Sequence, residues 1–376
     1  MNRIAILTQP LGQNYGGIFQ NFALQKFIEN KLNLSPVTIS RKKKDTIGKL
    51  SILKNETLNR LRGRYIKIFN GQELRCLTKE MDDFIASELA VTSDIFDDSV
   101  LKQEFRKNIY DAVIVGSDQT WRPKYSPNIF NYYLDFLEDN DKIRKIAYAS
   151  SFGTDEWEYS PEQTTRCADL VKKFRGISVR EDSGVDLCRT HLGVRAEFVI
   201  DPTLLLNGED YINMLQLRRN KPKGLYKYVL DKDRGKQKFI ETLSQHIKQE
   251  VYYCQPKRSL NDLLNYSSLE DYHFPSPYAW IQSFLDADFV VTDSFHGTVF
   301  SILFQKKFIS LINEGRGASR FYSLLSSLGL DNRLVKNYNN VDLNKLNEDI
   351  DFDAVYLKLS VMRQKSIDFL KNNLAI

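Results

Sequence analysis

Asp286-Ala-Asp-Phe-Val-Val-Thr-Asp-Ser-Phe-His-Gly-Thr-Val-Phe-Ser301 is the stretch from which the rest of the chain is read. Phe289, Val290 and Val291 form a short unbroken apolar run, the pattern of a strand buried on both faces of a parallel sheet. Thr292, Asp293 and Ser294 mark its carboxyl end, and Gly297 and Thr298 open a helix that runs through Leu303. His296 therefore stands at a strand-to-helix corner, the place where open α/β sheets receive ligands. The helix start offers N–H groups and a positive dipole end, so Gly297 and Thr298 are expected to cradle an anion beside the imidazole. An acid/base group next to an anion site is a catalytic arrangement. The competing reading is a histidine that only closes a buried corner.

The same unit recurs along the 376 residues. Arg3–Thr8 reads as a strand, followed by a Gly-bearing loop and a helix from Ile18 to about Lys31. Further strands are expected at 111–116, 143–149, 176–179 and 197–200, each ending in polar residues. The loop around Gly16 and Gly17 matches neither a P-loop nor a dinucleotide fingerprint, so it indicates close backbone approach at a helix start. The stretch 218–224 is rich in charge with Pro and Gly, and reads as a linker. Strand–helix alternation resumes at Leu225, and 353–374 carries helical spacing. The fold class is α/β, with two Rossmann-like domains facing across a cleft (GT-B type) and a C-terminal helix. Residues 1–217 form the first domain and 225–335 the second. The helix within 350–376 is expected to pack back on the first.

Composition narrows the classes. Hydrophobic residues at 42% and aromatics at 12% supply substantial cores. Four scattered cysteines without C-x-x-C spacing fit reduced thiols, and four isolated histidines give no metal-ligand cluster. No apolar run reaches the length of a membrane span, and no leader-like segment follows Met1, so a cytoplasmic protein is expected. The net charge of +5 conceals a local excess, ten basic against two acidic residues between Arg41 and Lys67. Apolar residues interleave with them, so segment 41–69 is basic and amphipathic. It suits an anionic membrane surface or ligand, unless it is a solvated helix with one buried side. Nucleic acid is not expected, because no recognition motif accompanies it.

Five ordered motifs carry a resemblance: Asn14-Tyr-Gly-Gly17 with Gln20-Asn21, Gly116-Ser-Asp-Gln119 with Trp121, Ser178-Val-Arg-Glu181, Asp201-Pro-Thr203, and Ser294-Phe-His-Gly297. Together they resemble the polysaccharide pyruvyl transferase family over roughly Arg3 to Leu330. The resemblance implies a GT-B protein that moves pyruvate from phosphoenolpyruvate onto two sugar hydroxyls as a cyclic ketal. Phosphoenolpyruvate is then the donor substrate, and no cofactor or metal is required. The sugar acceptor would belong to a bacterial surface glycan, polyprenyl-diphosphate-linked in some members, which would place the enzyme at the inner face of the cell membrane. In that setting the first domain is the acceptor side and the second the donor side. Several members have an arginine two positions before the motif histidine, where this chain has Ser294. Arg316 and Arg320, nearest in sequence, are the expected substitutes.

On this reading His296 is the general acid, and Asp118 and Asp293 are bases or sugar-hydroxyl acceptors. Ser294, Gly297, Thr298, Arg316 and Arg320 are expected around the donor. Asn14, Tyr15 and Gln119 would read sugar hydroxyls, and Trp121 would stack on a sugar or fill the core. Arg180 is either an ion-pair partner of Glu181 or a ligand group. His191, His246 and His273 sit in ordinary contexts. The alternatives are a GT-B glycosyltransferase with a nucleotide-sugar donor, and a non-catalytic glycan-binding subunit.

Overall fold

The computed structural model describes residues 2–43, 67, 69–137, 142–231, 233–260, 262, 266–312, 317–338 and 341–375. Most of the basic segment 41–69 lies outside the described residues, as does Arg316. The first sheet contains β1 (Arg3–Leu7), β2 (Ser35–Thr38), β3 (Ala112–Val115), β4 (Arg144–Ser150), β5 (Gly176–Val179) and β6 (Glu197–Phe198). Its order is β2-β1-β3-β4-β5-β6, with every pairing parallel. The second sheet contains β7 (Leu225–Tyr228), β8 (Val251–Tyr252), β9 (Phe289–Thr292), β10 (Lys307–Leu311) and β11 (Leu334–Val335). Its order is β11-β10-β9-β7-β8, again parallel throughout. The fold is thus α/β, with two Rossmann-like domains.

Sheets of this kind are covered by helices on both faces, which explains why β3 and β9 are buried at every position and apolar up to the closing Thr292 of β9. Chain direction across the sheet reverses between β1 and β3 and between β7 and β9, so the crevices for ligands lie at the carboxyl ends of those pairs. Strand β2 escaped the sequence reading because Ser35-Pro-Val-Thr38 is short and carries Pro36. Proline is tolerated there because β2 is an edge strand.

Two helices begin earlier than their glycines suggested. The first runs Tyr15–Leu32, and the one after β9 runs Phe295–Leu303. Glycine costs a helix about 1 kcal/mol relative to alanine. Here packing overrides that preference, because a Cβ on Gly16 would lie 2.0 Å from His296 Nδ1 and one on Gly297 would lie 2.2 Å from Thr292 Oγ1.

Helix Tyr15–Leu32 is buried on nearly every face because it is pinned between its own sheet and the second domain. Phe19 stacks on Trp280 at 5.3 Å and meets Phe300 edge-on at 5.4 Å. A single apolar cluster therefore runs from Ile4 and Ile6 in the first sheet to Phe300 in the second domain. Tyr15 stacks on Trp280 at 5.2 Å, and its hydroxyl donates to the Pro275 carbonyl at 2.6 Å. Tyr15→Phe leaves the stack and removes one interdomain hydrogen bond, so urea unfolding should report a loss of about 0.5–1.5 kcal/mol.

Helix Phe352–Leu374 ties the two domains together. The Tyr356 hydroxyl donates to the Leu303 carbonyl at 2.9 Å in the second domain. Further along, Arg363 Nε donates to the Leu204 carbonyl at 2.7 Å, and Ser366 Oγ accepts from the Ile200 N–H at 3.0 Å, both in the first.

The described ends of the basic segment are engaged, the first within its own domain and the second also with the other domain, where Phe69 meets the Tyr272 ring edge-on at 4.9 Å. Arg41 is buried and donates to Asn131 and Asp98, Lys42 pairs with Asp94, and Lys67 pairs with Glu73. Among the described residues, no helix is long and apolar enough to cross a membrane.

Candidate active site

Four strand ends deliver charged groups to one buried point between the sheets. Asp118 follows β3, Arg180 follows β5, Asp201 follows β6, and His296 follows β9. The turn after β3 needs Gly116, whose φ of 130° is open to glycine and whose Cβ would lie 2.0 Å from the Tyr148 carbonyl oxygen. Asp118 itself has φ 69°, a left-handed conformation that costs energy in a non-glycine residue and is sustained only when its surroundings hold it. Here they do: Arg180 Nη2 donates to Asp118 Oδ1 at 3.0 Å, and Asn14 Nδ2 donates to Oδ2 at 3.4 Å.

Arg180 joins both carboxylates, donating through Nη1 to Asp201 Oδ2 as well. It does not pair with Glu181, as the adjacency in sequence suggested, because successive side chains at a strand end point to opposite sides. Glu181 turns away to accept from the N–H groups of Phe152 at 2.7 Å and Gly153 at 3.3 Å. Asp201 was not singled out for chemistry from the sequence, although its Asp-Pro-Thr motif was visible. Thr203 occupies Asp201 Oδ1 through its N–H at 3.0 Å and its hydroxyl at 2.6 Å. That leaves Oδ2 for Arg180 and for His296, whose Nε2 stands 3.7 Å away.

The imidazole is thereby sandwiched between Asp201 and the backbone at Gly16, and it is 5% exposed. Arg320 is also buried, and its guanidinium lies 5.4 Å from the Phe295 ring, with that of Arg180 at 5.1 Å. Asn14 is exposed, while Ser294 and Gln119 are half-buried, so these three mark the open side of the site.

The electrostatics follow from this packing. Burial works against ionising Asp118 and Asp201. The Arg180 guanidinium outweighs it at Asp118, and hydrogen bonding from His296 together with Arg180 does so at Asp201, holding both carboxyls below the usual range. Burial pushes Glu181 up, and its nearby guanidiniums only partly offset this. Burial, then the charge of Arg180, pushes Arg320 down to about 10, so it remains a cation at neutral pH. The site therefore presents two ionised carboxylates, two guanidiniums and an imidazole, out of water.

Several sequence expectations require correction. Asp293 is not beside the imidazole: its carboxylate accepts from the N–H groups of Leu230 at 2.7 Å and Asp231 at 3.2 Å, and from Lys236 Nζ at 2.7 Å. It fastens β9 to the loop after β7, and leaves no role as a base at His296. Ser294 is the helix N-cap, its hydroxyl accepting from the Gly297 N–H at 3.4 Å. The Thr298 N–H donates to the Ser294 carbonyl at 3.0 Å. Because the helix starts at Phe295, the Gly297 and Thr298 donors expected to cradle an anion are spent inside it.

Tyr15 stacks on Trp280 and donates its hydroxyl to the Pro275 carbonyl, while also lining the cavity at the carboxyl ends of β7 and β8. Gln119 Oε1 accepts from Arg122 Nη1 at 3.1 Å. Trp121 is a core residue, stacked on Tyr133 at 5.1 Å with its indole N–H on the Tyr132 carbonyl at 3.0 Å. Arg316 lies outside the described residues. Among the described residues, no group of three or more His, Cys, Asp or Glu side chains is placed to hold a metal ion.

A family model for polysaccharide pyruvyl transferase matches residues 14–315. No curated protein matches the chain. Among solved structures, a Listeria monocytogenes protein assigned as a UDP-N-acetylglucosamine 2-epimerase superimposes with a TM-score of 0.54 at 8% identity, covering 99% of this chain and 96% of that one. The Methanocaldococcus jannaschii UDP-GlcNAc 2-epimerase, solved with UDP-GlcNAc and UDP, gives 0.52 at 10% identity, covering 99% of this chain and 100% of that one. The N-terminal domain of Candida albicans trehalose-6-phosphate phosphatase gives 0.50 at 12% identity, covering 100% and 97%. At these identities the likeness is one of fold.

Proposed function

The chain belongs to the polysaccharide pyruvyl transferase family, and from that premise we propose that it transfers pyruvate from phosphoenolpyruvate to two hydroxyls of one sugar, forming a cyclic ketal on a bacterial surface-glycan intermediate. The observation that carries this reading is the imidazole of His296, fixed between Gly16 and Asp201 beside two buried guanidiniums.

The chemistry asks for those groups. Protonation of the methylene carbon of phosphoenolpyruvate makes a methyl group and an oxocarbenium-like centre at the adjacent carbon. One sugar hydroxyl attacks that centre, phosphate leaves, and the second hydroxyl closes the ring. The products are the ketal and inorganic phosphate, the two hydroxyl protons replacing those given to the methyl group and the phosphate. His296 as imidazolium supplies the first proton, and the Asp201 carboxylate stabilises its charged form. Arg320 is the group for the donor's carboxylate or phosphate, since a guanidinium grips an oxyanion through two parallel N–H groups. It takes the part of the arginine that several relatives carry at the position of Ser294. Asp118, held ionised, is suited to accept a hydrogen bond from a sugar hydroxyl, with Asn14 beside it at the rim. A carrier-lipid diphosphate on the acceptor would bring the enzyme to the membrane, where segment 41–69 would meet anionic headgroups.

The test is incubation of the purified protein with phosphoenolpyruvate and a panel of hexosides, lipid-linked ones included. Acceptor-dependent phosphate release with a ketal-sized mass gain is expected. Thermal stabilisation by a sugar nucleotide alone, with no response to phosphoenolpyruvate, would replace this reading by glycosyl transfer.

Gly16→Ala gives a sharper probe of the imidazole. Alanine is favoured over glycine in a helix by about 1 kcal/mol, so the backbone gains. The new Cβ, however, would occupy space 2.0 Å from His296 Nδ1 and force the ring aside. A misplacement of that size costs on the order of 10²-fold in rate. Steady-state kinetics should show kcat falling, while the helix gain offsets part of an overpacking cost of about 1–3 kcal/mol and the thermal midpoint drops only modestly.

A further inference from the structure

Glu181 is fully buried and has no part in the chemistry derived above. Its Oε1 is taken by the N–H groups of Phe152 and Gly153, while Oε2 accepts no hydrogen bond from the described residues. A carboxylate oxygen kept out of water in this way is costly unless a charge stands near it.

That charge comes from the other domain. A Cβ on Gly317 would lie 2.1 Å from the Gly153 carbonyl oxygen and 3.2 Å from Arg320 Nη2. Loop 151–153, fastened to Glu181, therefore abuts the start of the helix Ser319–Leu328, which carries Arg320. One residue past Glu181, the Asp182 N–H donates to Ser323 Oγ on that same helix at 3.0 Å. The influence is mutual: the charge of Arg320 favours the ionised form of Glu181, and the charge of Glu181 favours the cation of Arg320.

Asp118 and Asp201 attract the same guanidinium. Arg180 already bridges those two carboxylates. A second guanidinium drawn onto them would spend its N–H groups inside the ion cluster. Glu181 supplies the opposing pull, anchored from the first domain by two backbone N–H groups.

We infer that Glu181 is the positioning residue for Arg320: from the first domain it holds the second domain's guanidinium in the orientation that grips the carboxylate or phosphate of the donor. This rests on the pyruvyl-transfer reading, in which Arg320 meets phosphoenolpyruvate. The donor site then needs both domains, and not the second alone.

Titration calorimetry of phosphoenolpyruvate into the full chain, beside steady-state kinetics, tests this. Glu181→Gln keeps an acceptor for the Phe152 and Gly153 N–H groups and removes only the charge, so a purely structural hold on that loop would survive it. Affinity for phosphoenolpyruvate should fall by about tenfold or more, with KM rising by a larger factor than kcat falls. Arg320→Met should lose at least as much. Adding Glu181→Gln to Arg320→Met should cost nothing further, because the carboxylate acts only through the guanidinium. Wild-type or tighter binding by Glu181→Gln, beside a weakened Arg320→Met, would overturn this inference alone, as would losses that add in the double variant. A wild type without affinity for phosphoenolpyruvate would instead remove the pyruvyl-transfer reading, and the role of Glu181 with it.

Discussion

His296→Gln should lower pyruvyl transfer by about two to four orders of magnitude, the usual contribution of a positioned general acid. Glutamine fills similar space and keeps hydrogen-bonding capacity, but it cannot deliver a proton. The imidazole is packed on Gly16 and faces Asp201 across 3.7 Å, so the loss belongs to the chemical step rather than to folding. Phosphate release measured at saturating phosphoenolpyruvate reads it directly, with kcat falling and the thermal midpoint near that of the wild type. A variant retaining most of its kcat would remove His296 as the acid and return it to the role of a residue closing a buried corner.

Arg180→Met should produce the largest loss of stability. The guanidinium is 3% exposed and joins two carboxylates that are themselves buried, Asp118 and Asp201. Removing one member of a buried ion network leaves the others charged and uncompensated, at a cost of about 3–5 kcal/mol. Urea unfolding at neutral pH measures it, and adding Asp118→Asn should restore part of the loss by removing one orphaned charge. A full-strength Arg180→Met protein would mean that water or another cation reaches the pair. The same linkage fixes an acid response for the wild type. Both carboxyls titrate lower in the folded state than in the unfolded chain, so their contribution is complete above about pH 4 and is lost as pH falls toward their folded values. Glu181, shifted upward by burial, works in the opposite sense and favours the folded state less as it ionises.

Much of the architecture was legible because it rests on local pattern. The apolar runs at Ala112–Val115 and Phe289–Val291 could be read as buried strands because each is short, rich in β-branched residues and followed by polar or glycine residues. Polar residues at their ends located the functional edge, and the histidine of Ser294-Phe-His-Gly297 was visible as a candidate acid. The partners of each charge were not legible. Asp293 and Asp201 are both strand-end aspartates, yet one holds Lys236 while the other faces His296. Arg180 adjoins Glu181 in sequence but joins Asp118 and Asp201, from two other strand ends.

The sequence by itself determined the α/β class, the order of most of its strands and helices, and the edge at which chemistry is placed. These follow from periodicity and turn chemistry within a few residues. Only the tertiary structure decided which aspartate stands beside the imidazole, why Gly16 must lack a side chain, and how a single aromatic cluster locks the two sheets together. Those outcomes depend on which strand ends and helix starts meet across the domain interface. Burial then makes each such meeting decisive, because a charge removed from water is stable only where a partner from a distant part of the chain arrives to meet it.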